Sequence, residues 1–170
     1  MYFTIRPARP ADVQVILATD IVTGRTSPSD AERFAAGISA AVADPARLVV
    51  VAEAHDDANA EGGSGVVGWA KTHHWDYADG PAPAGQYLGG VTVRPEFRRR
   101  GLAAQLTEAR LHWMWERAEF AWYVVNAGNE ASLALHRRWG FREVARGARF
   151  HTVAFDGGEG VLLSAARPQC

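Results

Sequence analysis

The sequence predicts a mixed α/β protein, a single domain built around one twisted sheet. Three observations lead there. Apolar periodicity switches repeatedly between strand and helix spacing, giving the order β-α-α-β-β-β-α-β-α-β-β. The length of 170 residues suits one substantial core and is short for two. No internal repeat or linker interrupts the run, so one domain is expected to span 1–170.

The elements follow in order. YFTIR (2–6) alternates as a short strand. In PARPADVQVIL, Pro10 and Asp12 suit a first helical turn, and Val13, Ile16 and Leu17 make one apolar face. DIVTGRTSPSD (20–30) reads as a loop. A second helix then starts with Ser29 and Glu32 at capping-box spacing and carries Phe34, Ile38 and Val42 on its buried stripe. RLVVVAEA (47–54) alternates too little to be half exposed and is expected to be a central strand. HDDANAEGGSG (55–65) turns into a strand over 66–75, and DYADGPAPAG (76–85) is a further loop. QYLGGVTV (86–93) is a strand whose Gly89–Gly90 pair points to a bulge or a close backbone approach. The helix after Gly101 sets Leu102, Leu106, Ala109 and Trp113 on one stripe. FAWYVVNA (120–127) is a strand, and 129–140 is a short helix opened by Asn129 and closed by Gly140. Two last strands, near 142–150 and 159–164, are joined around DGGEG.

Composition narrows the function classes. Formal net charge is −1, so no global field draws the protein to nucleic acid or to anionic lipid. Cys170 is the only cysteine, which excludes an internal disulfide and any multi-cysteine metal site; no metal is expected. The N-terminus lacks the apolar run of a signal peptide, and a cytoplasmic location without membrane contact is the expectation.

The stretch VRPEFRRRGLAAQL (93–106) concentrates the local charge. A strand ends near Val93 and a long helix begins near Gly101, so the backbone N–H groups of the loop and first turn lack intrahelical partners. With the helix dipole they form an anion site. Gly101 allows close approach, Ala103 and Ala104 keep the entrance clear, and Arg98, Arg99 and Arg100 add charge. A pyrophosphate suits this geometry better than a duplex groove, although runs of arginine also serve as solvated faces.

Arg98-x-x-Gly101-x-Ala103 in its strand–loop–helix setting resembles the [Q/R]-x-x-G-x-[G/A] signature of the GCN5-related N-acetyltransferases. A second stretch, NEASLALHRRWGF (129–141), resembles that family's other signature. The resemblance implies a mostly antiparallel sheet flanked by helices and splayed between strands 86–93 and 120–127. It implies acetyl-CoA as cosubstrate, with backbone groups of Val91, Thr92 and Val93 pairing with the pantetheine arm. Residues Arg98, Arg99, Arg100, Gly101, Leu102, Ala103 and Ala104 would cradle the pyrophosphate. Asn129 and Ser132 would lie along the cofactor arm, and the Val91 N–H would polarise the thioester carbonyl.

The reaction so implied is direct acetyl transfer to an amine in a ternary complex. Where a typical family member has a tyrosine near the sulfur, this chain has His136, which can supply the leaving thiolate with a proton. Where many members have a glutamate base, it has Tyr87, beside Gln86. His73, His74 and Asp76 are the other base candidates, acting through water, and an amine arriving neutral needs none. The substrate wall is expected from 20–29, 73–85 and 150–160, where Asp76, Asp79, Asp156 and Glu159 could attract a cationic amine. The 129–141 stretch resembles the phosphinothricin-type branch, yet the Lys-x-Gly-x-Trp-x-Asp pattern of that branch is replaced here by RFHTVAFDGGEG. A small-molecule amine is thus the expected acceptor, in an assembly that can be a homodimer. A protein amine, or acyl-CoA sensing without turnover, are the competing readings.

Overall fold

The structure, a computed structural model, describes residues 1–55, 65–155 and 157–169. Most of the 55–65 turn, together with Asp156 and Cys170, lies outside the described residues. Nine strands are present: β1 (Tyr2–Pro7), β2 (Val49–His55), β3 (Gly65–Trp75), β4 (Gly85–Val93), β5 (Phe120–Asn126), β6 (Arg142–Gly147), β7 (Arg149–Phe150), β8 (Val153–Ala154) and β9 (Gly160–Ala166). Four α-helices accompany them: α1 (Val13–Val22), α2 (Ala31–Ala43), α3 (Leu102–Trp115) and α4 (Glu130–His136). Seven strands form one mixed sheet in the order β1-β2-β3-β4-β5-β9-β6, as the fold class requires. The β1–β2, β2–β3, β5–β9 and β6–β9 ladders are antiparallel, and β4–β5 is parallel. That parallel ladder is short, pairing Tyr87 with Trp122 and Leu88 with Tyr123.

The described residues group into two compact units: Met1–Thr72 with Gly90–Arg110, and His73–Gly89 with Leu111–Cys170. In the first, β2 is covered on both faces, which explains its unbroken apolar run. Val49 and Val51 pack with Val13, Ile16, Ile38, Ala41 and Trp69 under α1 and α2. Val50, Ala52 and Ala54 turn to the opposite side and pack with Leu102 and Leu106 of α3. In the second unit, Leu111, Met114 and Trp115 from the end of α3 pack on Leu88, Tyr123, Val125, Val161 and Leu163. Tyr87, Phe150 and Leu162 form a separate cluster with Ala82.

Several local expectations are corrected. The segment from Asp20 is not all loop: α1 runs on to Val22, and Asp20 is buried. Ser29 does not form the capping box; the helix follows a 3₁₀ turn at Pro28–Asp30, with the Ser27 hydroxyl donating to Asp30 at 2.9 Å. The buried stripe of α3 carries Arg110 and Met114 in place of Trp113, which is half-buried beneath the Arg117 guanidinium. Arg110 tolerates full burial because it donates to the Leu106 and Lys71 carbonyls and to the Thr107 hydroxyl. A close backbone approach exists, but at Gly68: a Cβ there would lie 3.0 Å from the Thr92 carbonyl oxygen, whereas one at Gly90 would make only ordinary contact. The last segment contains an extra hairpin, β7–β8, between β6 and β9.

One ion network ties β1 to its neighbours. The Arg6 guanidinium donates to both Asp12 carboxylate oxygens, at 2.8 and 3.0 Å, and to Glu53 at 2.8 Å. Those hydrogen bonds hold both carboxyls below their ordinary range. The unfolded chain therefore binds their protons more readily, so this stabilisation is complete above the ordinary carboxylate pKa and is lost as pH falls through the depressed folded values. Replacing Arg6 with Gln should cost about 1–2 kcal/mol at neutral pH. The difference from wild type should shrink below about pH 4, as followed by urea unfolding across pH.

Candidate active site

The strand–loop–helix segment lies within the first unit. On β4, Val91 and Val93 are half-buried beside the apolar cluster that includes Leu106, while the buried Thr92 turns the other way and donates from Oγ1 to Asp20 Oδ1 at 3.1 Å. Asp20 also accepts from Trp69 Nε1 at 3.1 Å and from Thr26 Oγ1 at 2.6 Å. A buried carboxylate thereby fixes the strand edge on which Val91, Thr92 and Val93 sit.

After Val93 a 3₁₀ turn, Pro95–Phe97, leads into a loop with two left-handed residues, Arg99 (φ 59°) and Gly101 (φ 76°). Residue 101 needs glycine for its backbone conformation and not for lack of space, since a Cβ would meet nothing closer than Gln105 Nε2 at 3.8 Å. The first amide of α3 to reach a carbonyl is that of Gln105, which donates to Gly101 O at 3.1 Å. The amides from Arg99 to Ala104 have no hydrogen-bond partner among the described residues, at the start of a 14-residue helix. Leu102 is buried and anchors that helix, while the small Ala103 and Ala104 are only half-buried. The three arginines are exposed but not equivalent. Arg98 folds back to donate to Val93 O at 3.1 Å, and Arg100 lies over the Phe97 ring at 5.7 Å. Among the described residues Arg99 has no hydrogen-bond or ion-pair partner, which leaves its charge available. Left-handed backbone at Arg99 and Gly101, amides without partners among the described residues and the Arg99 guanidinium together make a setting that favours an anion.

The second unit holds the other expected residues. Asn129 caps α4, its Oδ1 accepting from Ser132 N at 3.1 Å. Ser132 Oγ in turn hydrogen-bonds the Tyr123 hydroxyl. His136 is buried and stacks on Tyr123 at 4.1 Å, with Phe141 and Trp139 edge-on at 5.6 and 6.1 Å. Its Nδ1 lies 2.7 Å from Ser132 O. A carbonyl only accepts, so Nδ1 carries a proton, and in the neutral ring the lone pair is on Nε2.

Tyr87 does not have the environment of a base. It is buried, its hydroxyl donates to Pro83 O at 2.6 Å, and burial pushes the phenol well above its ordinary range. Of the other base candidates, His73 stacks on Trp75 at 6.0 Å, and His74 and Asp76 are exposed. Sequence reasoning missed Tyr123 and Asp20. Tyr123 stands in the buried register of β5 with Ala121 and Val125, a period-two signal that could have found it. Asp20 sits among turn-forming residues and gave no such signal.

The sequence profile of the acetyltransferase (GNAT) family matches residues 17–141. No curated protein matches the sequence. Among solved structures, a candidate phosphinothricin N-acetyltransferase superimposes with TM-score 0.73 at 17% identity, over 99% of this chain and 100% of that one. The ribosomal-protein-alanine N-acetyltransferase of Brucella melitensis gives TM-score 0.69 at 24% identity, over 96% and 99% of the two chains. A chain of the NatC complex bound to Gag peptide and CoA gives 0.70 at 16% identity, over 99% and 100%. At these identities the likenesses establish the fold alone.

Proposed function

The chain belongs to the GNAT acetyltransferase family, and on that premise we propose that it transfers the acetyl group of acetyl-CoA to a primary amine of a small molecule. The observation that carries the cosubstrate is the loop at the start of α3, where Arg99 and Gly101 turn left-handed ahead of unpartnered amides. In this reading residues Arg98 to Ala104 hold the pyrophosphate, and the backbone of Val91, Thr92 and Val93 holds the pantetheine arm. Asn129 and Ser132 lie along that arm. Acetyl-CoA supplies a thioester carbonyl carbon open to attack by a neutral amine. The Val91 N–H donates to the carbonyl oxygen as negative charge develops there. His136 acts as the imidazolium: with Nδ1–H committed to Ser132 O, Nε2–H gives its proton to the departing sulfur, and the neutral ring regains one from solvent. The whole chain, 1–170, acts as one catalytic domain.

The small-molecule acceptor is favoured by the NEASLALH stretch and by the candidate phosphinothricin N-acetyltransferase among its structural neighbours. The neighbour acting on a ribosomal protein supports the second reading, a protein α-amine or lysine. Free-thiol release from acetyl-CoA, measured across aminoglycosides, polyamines, amino acids and peptides, separates them. Turnover on a small amine supports the proposal. Turnover on peptides alone transfers it to the second reading, and CoA binding without turnover on any amine points to a sensor. His136→Phe should lower kcat about a hundredfold with little change in the KM for acetyl-CoA. Full turnover in that variant would remove the proton-donor role.

A further inference from the structure

A second histidine, outside the residues discussed above, sits in the second unit under unusual constraint. His151 occupies the turn between β7 and β8 with φ 52°, a left-handed conformation that a non-glycine residue adopts only when its surroundings impose it. The residue is only 4% exposed. Its ring lies flat against Trp75, 4.7 Å away and 4° from parallel, and nearly perpendicular to Tyr77 and Tyr87 at 5.1 and 5.3 Å. Nε2 is 3.2 Å from Pro83 O and 3.3 Å from the Tyr87 hydroxyl oxygen. Nδ1 is buried and has no hydrogen-bond partner among the described residues.

These contacts determine where the proton resides. The Tyr87 hydroxyl spends its own proton on Pro83 O, at 2.6 Å. Both oxygens facing Nε2 are then acceptors, so Nε2 must donate. The neutral ring therefore carries its lone pair on Nδ1, the one buried nitrogen left without a donor. An unsatisfied acceptor there costs free energy that a structural histidine avoids by pairing.

We propose that His151 is the proton acceptor for the incoming amine, with Tyr87 and Pro83 as positioning groups that keep Nδ1 free to receive it. The proposal rests on the acetyltransferase reading above. The amine nitrogen attacks the thioester carbonyl carbon, the C–N bond forms and the C–S bond breaks. The proton shed by the amine passes to His151 Nδ1, and the thiolate leaves with its electron pair and takes up a proton. The imidazolium returns its proton to solvent, so the net products are the amide and the CoA thiol. While charged, the ring donates from Nε2 to Pro83 O and lies on the Trp75 face, which favours a cation. Tyr77, edge-on to the ring at 5.1 Å, is 48% exposed, so this side of the ring borders solvent. This assignment also gives Tyr87 a function that its raised pKa denies it as a base: it orients the ring that is one.

The test has a readout that needs no substrate. ¹⁵N–¹H imidazole spectra at neutral pH should show His151 as the Nε2–H tautomer with a pyridine-type Nδ1, identified by its loss in His151→Asn. An Nδ1–H tautomer would overturn the proposal. In the thiol-release assay, His151→Asn should lose about a hundredfold in kcat/KM for the best amine of the panel, with CoA binding unchanged. Asparagine tolerates the left-handed backbone, so the variant should fold with a thermal midpoint lowered only by the lost ring packing, and activities are compared below that midpoint. The rise of kcat/KM with pH should also flatten in the variant, a change that a packing role would not produce. Among the described residues, the titratable groups in contact with the ring are Tyr77 and Tyr87, with His73 stacked on Trp75, so His73→Phe should retain that rise. Turnover and pH profile unchanged in His151→Asn would overturn this role and leave the acetyltransferase reading intact. No turnover of wild type on any amine would overturn both.

Discussion

Gly101→Glu should abolish CoA binding. Residue 101 has φ 76°, where any side chain costs about 1–2 kcal/mol, and the loop must relax to relieve that strain. Relaxation withdraws amides from the cradle, and the new carboxylate takes the place of the anion at the positive end of α3. The two effects together should weaken binding by more than about a thousandfold, beyond detection by calorimetric titration. Gly101→Ala separates them: a Cβ there meets no crowding atom, so only the backbone strain remains and binding should fall about tenfold. Arg99→Ala should weaken binding to a similar or smaller degree, because an exposed charge contributes little beside the fixed amides. A Gly101→Glu protein that binds CoA like wild type would locate the pyrophosphate elsewhere.

Asp20→Ala should be the most damaging of the stability variants. It leaves the Trp69 indole N–H and the Thr92 hydroxyl without their acceptor in a buried setting. At about 1–3 kcal/mol for each orphaned group, the loss should reach about 3 kcal/mol, or roughly 6–12 °C in thermal midpoint for a chain of this size. Asp20→Asn retains an oxygen acceptor and should recover most of that loss. Because Thr92 lies on the strand assigned to pantetheine, the Ala variant should also bind CoA more weakly at temperatures where it remains folded. Equal midpoints for wild type and both variants would mean that Asp20 is not the hub its contacts describe.

How much of this was legible in the sequence depended on whether the signal was local. The apolar run of β2 reported its burial directly, because a strand covered on both faces cannot alternate. The start of α3 was legible because the left-handed backbone at residue 101 demands glycine. The β7–β8 hairpin was not, since two residues per strand are too few to show a period. The burial of Asp20 and Arg110 was not legible for a common reason: each is polar, and only its tertiary partners explain why burial is tolerated. His136 was reached from a motif, but its tautomer comes from the Ser132 carbonyl one turn back in α4. His151 had no local signal at all. Its meaning depends on Trp75, Pro83 and Tyr87, which are far from it in sequence.

On the proposed function, the arginine–glycine loop ahead of α3 binds the diphosphate of acetyl-CoA. Calorimetric titration of CoA into the wild-type protein and into Gly101→Glu tests it most directly. Saturable binding at one site per chain is expected in wild type and none in the variant. Absence of binding to wild type, or equal binding to both, would contradict it.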